Sequence, residues 1–127
     1  MTLVEVLVSM VLMLFVSLAM MQTALVSIQS NMKGEARDMA VGVADKWMSE
    51  VRNQSFAAFA AGLPGAPAVT VNNDPRYVRN VSINYRVTRS VTTLDSPEDS
   101  VRQVNVKVEW AWKGEPFSHN VTTMVRR

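Results

Sequence analysis

Cysteine is absent from the 127-residue chain, and histidine occurs once, at His119. Without cysteine there is no disulfide framework, no thiolate zinc site and no cysteine nucleophile. A single histidine leaves little for a metal cluster or a histidine relay. Proline does not occur before Pro64, and no charged residue stands between Glu5 and Lys33. All thirteen lysines and arginines lie at or beyond Lys33, which excludes a uniform small globule. The net charge of +2 is too small to argue for nucleic acid by itself. With 48% hydrophobic and 19% charged residues, the chain is not disordered by composition. No GxGxxG, phosphate-binding loop, GxSxG or HExxH is present. An enzyme is not expected, and no cofactor or metal is implied.

What the chain does have is a long apolar opening, MTLVEVLVSMVLMLFVSLAMMQTALVSIQSNM. About 20 mostly apolar residues cross a bilayer core of roughly 30 Å. Hydrophobicity runs round every face, so this helix is to be buried in lipid or in protein. A secretory signal peptide would need a basic flank ahead of the apolar run, and none is there. A single-span anchor and a helix that becomes the core of an assembly remain. Glu5 bears on that choice. At the headgroup level it is solvated and favours the positive end of its own helix. In an apolar setting it calls for a cation, such as the N-terminal amine of another subunit. Such a pair would fix how far one helix slides past the next.

The residues MTLVEVLVSMVLM resemble the start of a mature type IV pilin or type II secretion pseudopilin. The family pattern is an apolar first residue, Thr, Leu, an aliphatic and Glu. Met1, Thr2, Leu3, Val4 and Glu5 match in that order. The resemblance implies cleavage by a prepilin peptidase and N-methylation of Met1. It implies assembly through Glu5, with Thr2 hydrogen-bonding near the ion pair. It also implies other pilin or pseudopilin subunits as partners. The expected location is the bacterial inner membrane before assembly, then a periplasmic or cell-surface filament. AVGVADKWMSEVRN is loosely similar to the helix end of V-type minor pilins and I-type minor pseudopilins. Gln22 stands where many major pilins have a helix-bending proline, which mildly favours a minor subunit, or a filament whose helix does not bend there. The readings kept open are a minor pilin, a minor pseudopilin of a type II secretion system, and a single-span membrane-anchored binding protein.

From Lys33 the helix turns amphipathic. Ala36, Met39, Ala40, Val43, Trp47, Met48 and Val51 make one apolar stripe, predicting a helix to about Asn53. Gly34 and Gly42 are its candidate bend points. A connector over 55–75 follows, punctuated by Gly62, Pro64, Gly65 and Pro67, with Phe56 and Phe59 pinning it. A short strand is expected at 68–71, then a turn at 72–75. Alternation at Val81, Ile83, Tyr85 and Val87, and again from Val104 to Trp112, predicts strands. The expected meander has strands at 76–92, 101–113 and 117–126, joined by loop 95–100 and a tight turn at 114–116. The fold class is therefore α+β: one long N-terminal helix, with its second half packed on a small antiparallel sheet. The resemblance implies the same, a pilin-like fold with the membrane or filament-core helix at 1–32 and the head at 33–127.

Few constellations in the head invite chemistry. His119 reads as an ordinary sheet residue. Asp95, Glu98 and Asp99 lack EF-hand spacing and read as a solvated loop, although calcium would suit such oxygens. Arg86, Arg89, Arg102 and Lys107 fall in predicted strands and form a candidate basic face. Such a face could bind DNA phosphates or an acidic surface. The alternative is a soluble surface whose charges meet acids on neighbouring subunits.

Overall fold

The computed structural model describes residues 2–59, 68–95 and 100–127. Helix α1 spans Leu3–Asn53, and a single 3-10 turn follows at Phe56–Ala58. Four strands come next: β1 (Ala68–Val78), β2 (Val81–Thr93), β3 (Val101–Trp112) and β4 (Glu115–Arg126). They form one antiparallel sheet in the order β1-β2-β3-β4. The architecture is α+β and consistent with a pilin-like fold. The chain divides into two compact units, Met1–Gly34 and Glu35–Arg127.

In the second unit the helix lays a small-residue stripe on the sheet. Ala36, Ala40, Val43, Ala44, Met48 and Val51 are buried. Ala44 joins the expected stripe, whereas Met39 and Trp47 are only half-buried. Alanine lets the helix backbone come close, and Tyr85 of β2 uses that approach. Its hydroxyl donates to the Ala36 carbonyl at 2.9 Å. Opposite the stripe lie Ile83, Tyr85, Val87 and Val91 of β2 and Val104, Val106 and Val108 of β3, all buried. Burial of each valine side chain stabilises by about 1.5–3 kcal/mol before entropy. Tyr85, Trp110 and Phe117 form an aromatic row across three strands, with ring centroids 6.0 and 5.8 Å apart.

Four expectations are corrected. The meander has four strands, because the expected strand 76–92 is broken by a turn at Arg79–Asn80. Both residues are left-handed, with φ of 45° and 69°, the conformation of a tight two-residue hairpin. The expected turn at 72–75 is strand. Asn72, Asn73, Asp74 and Pro75 pair with Val87, Arg86, Tyr85 and Asn84. Proline is tolerated there because β1 is an edge strand. The connector expected over 55–75 accordingly gives way to β1 at Ala68. The second hairpin turns at Lys113 and Gly114, so β4 begins at Glu115 rather than at 117. The helix assignment itself is continuous across Gly34 and Gly42. The punctuated connector residues Gly62, Pro64, Gly65 and Pro67 lie outside the described residues.

Polar tethers fix the helix to the sheet. Lys46 reaches Asp74 at 3.2 Å, and Arg76 grips the same carboxylate from 2.9 and 3.1 Å. Glu35 pairs with Arg79 at 3.0 Å. Burial pushes the Asp74 carboxyl up, but the hydrogen bonds and charges of Arg76 and Lys46 outweigh it and hold the pKa below its ordinary 3.8.

Candidate functional site

The first candidate site is the N-terminal unit itself. Thr2 opens α1 as its cap: its carbonyl accepts from the Glu5 N–H at 3.1 Å, and its hydroxyl oxygen lies 3.4 Å from the same donor. Thr2 and Glu5 thus hold the spacing of a capping box, S/T-x-x-E. Glu5 stands in the first turn, where the helix dipole is positive. The carboxylate is exposed, and the nearest basic residue along the chain is Lys33. Met1 lies outside the described residues.

Beyond Glu5 the helix is long and apolar enough to cross a membrane, and its most apolar stretch is wholly exposed. Leu7, Val11, Leu14, Phe15, Leu18 and Leu25 all show half or more of their surface, within a percentage point. Three of its polar side chains are answered within the helix. Ser9 donates to the carbonyls of Glu5 and Val6, Ser17 to that of Met13, and Thr23 to that of Ala19, all at 2.9–3.0 Å. A hydroxyl so engaged has no need of water. This segment is therefore suited to an apolar surrounding that the chain itself does not supply.

The second candidate, the basic face, is corrected by the parity of the strands. Arg86 and Lys107 point away from the helix layer and are exposed. Arg89 and Arg102 point inward, in step with Val87 and Val91 and with Val104 and Val106. Arg102 is only 8% exposed. Its Nη1 donates to the carbonyls of Phe56 and Phe59 at 3.1 and 2.6 Å, and its guanidinium covers the Phe56 ring at 4.2 Å. Arg89 lies 5.9 Å from the Phe59 ring and reaches Gln54 at 3.5 Å. The two inward arginines clasp the chain where it leaves α1. On the outer face Lys107 is paired with Glu109 at 2.6 Å, and Arg86 stands opposite Glu109 in register. The four cations do not share a face, and the two that remain outside flank an acid.

The structural duty of Arg89 and Arg102 was missed by reading charge alone. The signal was their even spacing from the buried valines of their own strands, which assigns them to the inner face. His119 sits half-buried on the inner side of β4. Asp95 caps the start of β3, accepting from the Ser100 hydroxyl and from the N–H groups of Ser100 and Val101 at 3.0 and 2.9 Å. Those hydrogen bonds, led by the Ser100 hydroxyl, lower its pKa from the ordinary 3.8. Glu98 and Asp99 lie outside the described residues. Among the described residues no group of three or more acids or histidines could hold a metal ion.

No family model matches this chain, and no curated protein or solved structure shows significant similarity to it.

Proposed function

We propose that this chain is a structural subunit of a type IV pilus filament, of the minor kind, assembled through its N-terminal helix. One observation carries the reading. An apolar helical segment exposed on all sides bears a single acid near its tip, while every buried side chain among the described residues lies in the second unit. Before assembly the segment from residue 6 to about 28 spans the inner membrane. On assembly it moves into a filament core, so its apolar surface stays dry in both settings. Glu5 neutralises the N-terminal amine of a neighbour and sets the register. Met1 is the residue methylated after prepilin peptidase cleavage. The wall of the filament is the amphipathic half of α1 with the sheet.

Glu5→Ala and Glu5→Lys test this role. Both variants are expected to fold and reach the membrane, yet enter sheared filaments at least about tenfold less than the parent chain, as loss of a desolvated ion pair demands. The readout is quantitative mass spectrometry of filaments and membranes, with the N-terminal peptide read in the same run. Normal incorporation of both variants would overturn the role of Glu5. Membrane retention with a methylated Met1 peptide would indicate a type II secretion pseudopilin.

A second reading is a single-span anchored binding protein. The Thr2 and Glu5 capping arrangement favours it, because a helix start accounts for both residues without any neighbour. An N-terminal peptide that is neither processed nor methylated would support it.

A further inference from the structure

We propose that the fork between the two hairpins of the sheet binds a sugar. Strands β2 and β3 pair from Thr93 and Arg102 as far as Arg86 and Glu109, and no further. Yet β2 begins at Val81, and β3 runs on to Trp112. Each arm keeps its own hairpin partner to the end, β2 with β1 at Val78 and β3 with β4 at Glu115. The two hairpin ends therefore diverge, and a cleft of about 540 Å³ lies between them. In an antiparallel sheet alternate residues turn N–H and C=O to either side of a strand. Those turned to the fork from residues 81–84 and 111–112 meet no strand. Backbone groups left so need water or a ligand.

The side chains of the cleft are polar of both kinds. Asn84 and Arg86 stand on β2, Glu109 on β3, and Ser118 on β4 opposite Glu109 in register. No described residue engages the side chains of Asn84, Arg86 or Ser118. Glu109 meets Lys107 through Oε1, which leaves Oε2 to accept. The apolar part is small. Ala111 and Pro116 pair beside this polar set, and Trp110 lines the cleft from the inner layer, where its ring meets that of Tyr85.

This mixture selects the ligand. A phosphate would meet Arg86, but also the Glu109 carboxylate that stands opposite it. An apolar ligand would leave an amide, a guanidinium and a hydroxyl desolvated and unanswered. An added strand would find only residues 81–84 on one arm and 111–112 on the other. A sugar hydroxyl both donates and accepts. One ligand class thus answers the amide, the guanidinium, the carboxylate, the serine and the free backbone groups. The C–H edges of its ring suit Trp110, Ala111 and Pro116. The volume lies within the roughly 300–1,000 Å³ of small-molecule sites and admits a mono- or disaccharide. The occupant is a pyranose, free or within a polysaccharide, however the chain assembles.

Amide NMR of the full chain tests the proposal, in a detergent whose headgroup is not a sugar. The probes are glucose, galactose, N-acetylglucosamine and glucuronate, each as the free sugar and as its methyl glycoside, titrated to about 20 mM. At least one is expected to give saturable shifts with a Kd of about 5 mM or tighter, largest at residues 84–86, 109–111, 117 and 118. Binding of methyl glycosides alone would support a unit within a polysaccharide, and equal binding of both forms a free sugar. Asn84→Ala with Arg86→Ala is expected to weaken binding at least about tenfold. Ala111 is exposed, and Ala111→Tyr is expected to fill the cleft and abolish binding. Thr122→Ala, exposed on β4 outside the cleft, is expected to bind as the parent does. Absence of shifts with every probe, or undiminished binding by Ala111→Tyr, would overturn the site. Saturation of the same amides by inorganic phosphate or a short DNA duplex, but by no sugar, would overturn the sugar and assign the fork to an anion.

Discussion

Arg102 is an arginine whose charge is spent inside the protein. Its guanidinium lies under a phenylalanine ring and answers two carbonyls of the segment leaving α1. Replacing it by leucine leaves those carbonyls unanswered and removes charge-assisted hydrogen bonds, a loss of about 3 kcal/mol. Arg86→Leu on the outer face is expected to cost no more than about 0.5 kcal/mol. Chemical denaturation of the two variants in the same detergent checks the contrast. Asp74 carries a different consequence, through pH. Its pKa is lowered in the fold by Arg76 and Lys46 acting against burial. The stability it contributes is therefore present above its unfolded pKa of about 3.8 and is lost as pH falls through the lower folded value. Asp95 acts in the same direction through its hydrogen bonds from Ser100 and Val101. Acid melting curves of Asp74→Asn should be flatter below about pH 4 than those of the parent.

At the scale of elements, the two periods in the sequence carried most of the architecture. The alternation from Val104 to Trp112 set the inner face of β3, and the stripe from Ala36 to Val51 set the helix face that packs on the sheet. Other features were hidden for physical reasons. The hairpin at Arg79–Asn80 uses an arginine in a left-handed conformation, where an Asn-Gly pair is the usual mark. The polar run at 72–75 reads as a turn by composition, yet an edge strand tolerates both its proline and its charges. For the basic face, charge suggested one surface while parity split it between two. In the N-terminal unit, the acid within an apolar run was legible, and the structure added the cap that Thr2 forms over it. Gly42 remains unexplained by packing within the chain, since a Cβ there meets nothing within 4 Å. Gly42→Ala should therefore stabilise the head by about 0.5–1 kcal/mol. A gain of that size in melting, together with impaired assembly, would mark the exposed helix face around Gly42 as a contact made only with a neighbour.

For the whole molecule, every buried side chain among the described residues lies at or beyond Ala36. A fragment of residues 35–127 is thus expected to be soluble without detergent and to melt cooperatively within about 5 °C of the full chain. Calorimetry and light scattering decide the point, and an aggregated or non-cooperative fragment would show that the first unit contributes to the fold. The hydroxyls of Ser9, Ser17 and Thr23, turned back onto their own carbonyls, have a consequence of another kind. Hydroxyls turned back in this way keep those bonds in any apolar surrounding. In an apolar surrounding the segment leaves Glu5 as the one charged side chain before Lys33 that calls for an answer from outside the helix.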